Sequence, residues 1–247
     1  MRTIAVTNHK GGVGKTTTVA AVGQALANKG KRVLIIDLDA QANLTSFFFN
    51  EAEIDNSVYG ALMGKLEKLP IMRVSDKLSL VPASLELARA ETDLASKIAR
   101  ERILSNLIED VSDSYDYVLL DCPPSLGILT TNALAAATDV YIPLTAEALP
   151  LKGLKMLEEI VDEVRRSINS KLAITGVIIT RYNNRKLNKA VLDAIRAQYG
   201  TKVFDTKIRE NIAVAEAPLY GESIYEYAPD SNGAKDYEAL SDEILNR

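Results

Sequence analysis

Short apolar runs alternate with longer amphipathic stretches along this chain. Runs rich in β-branched residues fall at 3–8, 32–37, 78–81, 117–121, 139–143 and 174–180, with a shorter one near Val203. Between and after them lie stretches with helical spacing, at 15–28, 85–111, 126–136, 151–167, 187–199, 212–217 and 234–245. Strand followed by helix, repeated, is the pattern of βαβ units. Several runs are apolar at consecutive positions, as in a parallel sheet covered on both faces. The pattern therefore predicts an α/β fold, a mostly parallel twisted sheet flanked by helices on both faces. Gly30, after Lys29, supplies the expected stop for the first helix. No internal repeat, low-complexity tract or linker breaks the pattern, so one domain over 1–247 is expected.

Composition narrows the class. The chain has 247 residues, 47% hydrophobic and 25% charged, as in a soluble globular protein with a sizeable core. Its apolar runs are too short and too often broken by charge to span a bilayer. The first strand follows Met1-Arg2 directly, with no secretory signal before it. Cys122 is the single cysteine, which excludes an internal disulfide and any cluster held by several cysteines of one chain. Cytoplasmic residence is the expectation. Net charge is −4 but unevenly spread. Between Arg181 and Arg209 stand Arg181, Arg185, Lys186, Lys189, Arg196, Lys202, Lys207 and Arg209, opposed only by Asp193 and Asp205, a local charge of +6. One cationic face on an acidic body is implied.

The chemistry concentrates in Gly11-Gly12-Val13-Gly14-Lys15-Thr16, which follows a predicted strand and opens a predicted helix. In that context the segment reads as a phosphate-binding loop. Its glycines let successive backbone N–H groups converge on phosphates, and the helix N-terminus adds a favourable dipole. Lys15 is placed to reach the β- and γ-phosphates, and the Thr16 hydroxyl to complete a magnesium (Mg2+) shell. Two carboxylates, Asp37 and Asp39, follow the second strand; such groups also cap helices or simply meet water. Asp121 closes the fourth apolar run, and the C-terminal end of a buried strand is where open α/β sheets bind ligands.

The longer segment Lys10-Gly11-Gly12-Val13-Gly14-Lys15-Thr16-Thr17 resembles the deviant Walker A motif of the ParA/MinD family of P-loop NTPases. The resemblance implies ATP with magnesium as ligands. It also implies a homodimer formed with ATP, in which Lys10 crosses to the partner's phosphates and stabilises charge developing there. Leu34-Ile35-Ile36-Asp37-Leu38-Asp39-Ala40 resembles the family's switch I, with alanine where proline is common. By that likeness Asp39 positions the attacking water and Asp37 lies near the metal. Tyr117-Val118-Leu119-Leu120-Asp121-Cys122-Pro123-Pro124-Ser125 resembles Walker B and switch II, with Asp121 holding magnesium through water. For the base, Thr180-Arg181-Tyr182-Asn183 resembles a MinD-type adenine segment, and Asn211 matches an asparagine near the base in Soj proteins. Arg209-Glu210 stands where those proteins usually carry Pro-Arg.

The likeness runs from the first strand to Ser231-Asn232-Gly233-Ala234 and is strongest to small ParA proteins that segregate plasmids or chromosomes. It implies non-specific DNA binding, nucleoid association in the ATP state, and hydrolysis stimulated by a ParB-like or cargo-adaptor protein. Lysine and arginine contacts to phosphate supply most non-specific affinity, so the +6 segment points the same way. Glu210 and Ala213 occupy positions where relatives often have DNA-contacting arginines, which leaves Arg185, Lys186, Lys189 and Arg209 as candidates. Neither a winged-helix domain nor a basic extension precedes the first strand, so a ParB-like activator is expected to use another surface.

Other readings stay open. MinD-like membrane positioning needs a basic amphipathic C-terminal helix, whereas residues 236–247 are acidic, so no membrane partner is expected. Positioning of a protein cargo would use the same ATPase cycle. An amide-forming or carboxylating synthetase would need a second substrate site. Phe47-Phe48-Phe49 is expected to serve packing. Cys122 reads as a small buried filler. His9, the single histidine, has no visible partners for a metal or proton-transfer role.

Overall fold

The computed structural model describes residues 1–146 and 151–247, apart from the side chains of Leu151 and Lys152. Its strands are β1 (Arg2–Val6), β2 (Val33–Asp37), β3 (Met72–Arg73), β4 (Leu78–Val81), β5 (Tyr117–Asp121), β6 (Asp139–Thr145), β7 (Ala173–Tyr182) and β8 (Val203–Arg209). They form one sheet in the order β3-β4-β2-β5-β1-β6-β7-β8. Each neighbouring pair is parallel except β3 with β4.

The helices are α1 (Lys15–Asn28), α2 (Asn43–Phe48), α3 (Val58–Leu62), α4 (Ala90–Asp93), α5 (Ile103–Glu109), α6 (Ile128–Ala136), α7 (Leu151–Ser167), α8 (Lys186–Tyr199), α9 (Ala213–Glu216), α10 (Ile224–Tyr227) and α11 (Asn232–Leu245). They cover both faces. Side chains of one strand alternate between the two faces. Ile4, Val6, Val33 and Ile35 join a core closed by α1 and α11, through Val19, Val22, Leu26, Tyr237, Leu240 and Ile244. Ala5, Leu34, Ile36, Val118 and Leu120 join the opposite core, closed by α5, α6, α7 and α8 through Leu104, Leu134, Leu157 and Val191. Consecutive apolar positions thus serve two cores at once. The α/β sheet expected from the pattern is what forms.

β1 lies between β5 and β6, with Val6 in register with Asp121 and Tyr141. The chain leaves β1 toward β2 and β4, returns through β5, and then builds the other half of the sheet. The loop after β1 therefore emerges at the C-terminal edge where the strand order reverses, the usual ligand crevice of an open α/β sheet.

The stretch 85–111, expected as one helix, is broken into 3-10 turns at Leu85–Arg89 and Arg100–Arg102 with α4 and α5. Ala99 sits at φ 51, a left-handed conformation that a helix cannot pass through. Buried Asn132 on α6 provides the competing bonds. Its Oδ1 accepts the Leu104 N–H (3.1 Å), and its Nδ2 donates to the Arg100 and Ile128 carbonyls (both 2.9 Å). β8 spans Val203–Arg209, longer than the short run suggested, because its edge position tolerates polar side chains. The three phenylalanines 47–49 are half-buried against the α1 face, as expected of packing residues.

Asn132→Ala leaves the Leu104 N–H, at the start of α5, without its partner. It should lower unfolding free energy by about 2–3 kcal/mol, measured by urea denaturation.

Candidate functional site

The loop after β1 is shaped by glycines where backbone geometry demands them. Gly12 and Gly14 have φ of 71° and 89°, values costly for any residue with a Cβ. Two polar side chains pin the loop. Asn8 donates from Nδ2 to the Pro143 carbonyl (2.8 Å) while its Oδ1 accepts the Lys10 N–H (3.0 Å). Thr180, near the end of β7, donates to the Val13 carbonyl (2.9 Å). The sequence pattern alone does not mark Asn8 or Thr180 for this role. The available signal was a polar residue closing an apolar strand at the edge that carries the loop.

The two lysines of the loop are treated differently. Lys15, first residue of α1, is buried, and its Nζ donates back to the Lys10 carbonyl (3.3 Å). Burial lowers its pKa, and Asp121 works against that shift. Lys10 is exposed at the surface of the loop. Thr16 and Thr17 are half-buried on the first turn of α1. Gly11, Gly12, Val13, Gly14, Lys15, Thr16 and Thr17 thus form one continuous turn into a helix N-terminus, the geometry that cradles phosphates.

Asp37 and Asp121 end adjacent strands in direct register and are both buried. Their hydrogen bonding differs. Asp37 Oδ2 accepts from the Thr45 N–H (2.9 Å) and hydroxyl (2.7 Å), and its Oδ1 accepts the Asp39 N–H (3.1 Å). Asp37 lies beside the expected metal position, yet its carboxylate anchors the 37–45 loop and so places Asp39. Asp39 is half-buried, and its Oδ1 accepts the Gln41 N–H (3.0 Å). Both oxygens of Asp121 lack a hydrogen-bond partner among the described residues. Burial pushes the pKa of both carboxyls up. At Asp121 the adjacent Asp37 adds to the rise, while the nearby Thr16 hydroxyl and Lys15 oppose it.

A buried carboxylate with free oxygens beside a threonine on a phosphate loop suits magnesium, which takes one or two carboxylates plus substrate phosphates. Among the described residues no cluster of three or more His, Cys, Asp or Glu forms a closed metal cage, and magnesium with a nucleotide needs none. Cys122 is fully buried with its thiol pKa raised by that burial, as a filler should be.

The expected base-binding residues lie in neighbouring loops. Tyr182 pairs with Arg209, the Glu210 N–H reaches the Tyr182 carbonyl (3.2 Å), and Asn183 and Asn211 follow these strand ends. Each asparagine closes a local turn: Asn183 Oδ1 accepts the Arg185 N–H (3.2 Å) and Asn211 Oδ1 the Ala213 N–H (2.9 Å). Arg185, Lys186 and Lys189 are exposed around the first turn of α8. Arg209 differs from them. Its guanidinium forks onto Asp236 of α11 (2.6 Å at the shortest contact), which also accepts its backbone N–H (2.9 Å).

A family model described as an AAA domain matches residues 1–174. The chain is 40% identical to the sporulation initiation inhibitor protein Soj of Bacillus subtilis, over 98% of this chain and 97% of that one. It is also 40% identical to the chromosome-partitioning ATPase Soj of Treponema pallidum, over 100% and 98%. The chain belongs to the ParA/Soj family of partition ATPases. Solved structures share the fold. A cobyrinic acid a,c-diamide synthase from Mycobacterium smegmatis, with bound ADP and magnesium, superposes with a TM-score of 0.87 at 34% identity, covering 99% of this chain and 94% of that one. A plasmid partition protein from Borrelia burgdorferi bound to AMPPNP gives 0.84 at 26%, covering 99% and 98%. The ADP and magnesium of the first structure and the AMPPNP of the second are consistent with the ATP and magnesium expected from the loop.

Asp121→Asn removes a buried charge that Lys15 only partly offsets in the nucleotide-free fold. Because the folded-state pKa lies above the unfolded one, the ionised group opposes folding at neutral pH. The variant should melt about 2–4 °C higher without ligand, equivalent to roughly 1 kcal/mol. It should also lose the extra stabilisation that magnesium adds to ATP in the parent. Differential scanning fluorimetry checks both.

Proposed function

We propose that this ParA/Soj-type protein is an ATP-operated switch. In this reading it dimerises on ATP, binds DNA non-specifically, and segregates plasmid or chromosomal DNA when a ParB-like adaptor stimulates hydrolysis. The observation that carries the reading is the division of labour within one loop. Lys15 is buried toward its own nucleotide position, whereas Lys10, five residues earlier, is exposed. A cation presented outward from a phosphate loop serves a nucleotide on a facing subunit, so hydrolysis becomes tied to dimerisation.

The remaining roles follow from placement. Backbone N–H groups of the loop and Lys15 bind the phosphates; Asn183 and Asn211 lie where the base would end. Magnesium, held through Thr16 and Asp121, would neutralise phosphate charge. Asp39 accepts a hydrogen bond from the attacking water and directs it at the γ-phosphorus. The β–γ bridging bond then breaks, and ADP and phosphate leave. Lys10 of each subunit stabilises the charge growing on the transferred group.

DNA binding is supported by Arg185, Lys186 and Lys189 clustered on the N-terminal turn of α8, where the helix dipole also favours anions. Arg209 would meet a phosphate only by leaving Asp236. Membrane attachment through the last helix is disfavoured, because α11 buries Tyr237, Leu240 and Ile244 against the sheet. Among the described residues no helix is long and apolar enough to cross a membrane. Residence in the cytoplasm, on the nucleoid in the ATP state, goes with this reading.

Size-exclusion chromatography of Asp39→Ala, in which ATP binds but is not cut, should show a dimer with ATP and a monomer with ADP or no nucleotide. A monomer under all three conditions would sink the switch. The same variant should bind duplex DNA only with ATP. Reversing Arg185, Lys186 and Lys189 to glutamate should reduce the slope of log affinity against log salt by about 3. An unchanged slope would leave DNA without a role for this face and favour a protein cargo.

A further inference from the structure

The stretch 122–127 joins Asp121 to the first residue of α6 and starts against the end of β1, the strand that leads into the phosphate loop, where the Cys122 N–H donates to the Val6 carbonyl (3.2 Å). One of its ends is set by β5 and the other by the N-terminus of α6. That N-terminus has no cap of its own, since residue 127 is glycine and makes no side-chain bond there. The cap arrives from 37 residues earlier. The Glu91 carboxylate accepts the Ile128 N–H with both oxygens, at 3.0 and 3.3 Å. A negative charge at the positive end of a helix is favourable, and it satisfies a donor the helix leaves unpaired.

A Cβ at position 127 would overlap the Glu91 carboxylate where it now sits, so any larger residue there would push that flexible side chain away from the Ile128 N–H. Glu91 and Gly127 are therefore a matched pair. The 122–127 stretch is drawn onto the same helix end by Thr130, whose hydroxyl donates to the Ser125 carbonyl (2.6 Å). Glu91 is exposed and borders a cavity of about 300 Å³ with Ala95, Arg100, Glu101, Ile128 and Thr131. Its side chain has room to swing off Ile128 without disturbing the core.

We propose that Glu91 is a positioning residue for ATP hydrolysis: by capping α6 from α4 it holds residues 122–127 in place after Asp121. The proposal rests on the ATPase reading above. Glu91 touches neither nucleotide nor water in this scheme, so its removal leaves ATP binding intact and slows the chemical step.

Four variants of the full-length chain test it: Glu91→Ala, Glu91→Gln, Gly127→Ala and the double variant Glu91→Ala/Gly127→Ala. Hydrogen exchange of the peptide spanning 122–130 reads the cap, and steady-state turnover reads its consequence. Glu91→Ala and Gly127→Ala should each speed exchange there. They should lower kcat about tenfold while KM for ATP stays within about twofold, the pattern of a lost transition-state arrangement. Glu91→Gln keeps an acceptor oxygen and should retain most of the rate. The double variant should be no worse than either single one, because both remove the same contact. Unchanged exchange or unchanged kcat in Glu91→Ala would overturn the proposal, as would losses that multiply in the double variant. Absence of turnover in the unaltered chain would instead overturn the ATPase reading, with exchange alone then judging the cap.

Discussion

Two carboxylates are forced into the interior at the ends of neighbouring strands, and much of the site is organised around that fact. Asp37 and Asp121 lie side by side where β2 and β5 finish, each pushed toward its neutral form by burial. Burying two like charges is unfavourable unless something compensates each of them. Asp37 is compensated internally, by Thr45 and the Asp39 N–H. Asp121 has only Lys15 as a nearby opposite charge and keeps both oxygens free of hydrogen bonds among the described residues. The asymmetry separates a carboxylate bonded within the fold from one whose oxygens stay free.

That division ties local geometry to the nucleotide cycle. Thr45 bonds Asp37 and also accepts the Ala83 N–H (2.9 Å), so the loop bearing Asp39 is held to the end of β4 as well as β2. The phosphate loop is pinned in the same way, by Asn8 to β6 and by Thr180 near the end of β7. A nucleotide bound there would touch elements from both halves of the sheet. The stretch after Asp121 is the third element at the crevice, held at its far end by a surface contact instead of a buried one. The three segments thus differ in their anchors, buried side-chain bonds for two of them and the exposed Glu91 carboxylate for the third.

Surface charge follows a different logic. The basic residues between Arg181 and Arg209 look equivalent in sequence, but ion pairing separates them. Arg196 meets Asp205 at 3.3 Å and Arg209 meets Asp236 at 2.6 Å, which leaves the start of α8 as the denser exposed cluster. Arg196–Asp205 is exposed, and such pairs contribute little to stability, whereas Asp236 is buried beneath Arg209. The effect of both pairs here is to decide which cations remain available to a polyanion. Arg181, at φ 49 where the β7–β8 register shifts, is exposed as well.

The roles expected of Lys10 and Asp39 rest on the likeness to the ParA/MinD family, whereas the sheet, the nucleotide loop and the positions of Lys15, Thr16 and Asp121 were determined by the sequence itself. Those features are written in local pattern: apolar runs at strand spacing, glycines where φ must be positive, a lysine and threonine opening a helix. Only the tertiary structure decided that 85–111 is broken, because the competing bonds come from Asn132, outside that segment. It likewise decided that Asp37 anchors a loop, that Arg209 is already paired, and that Glu91 caps a helix 37 residues away. Each of these depends on a partner distant in the chain. Hydrogen bonds and ion pairs of a single side chain carry no periodic signature, so they become legible only once the fold has brought the two ends together.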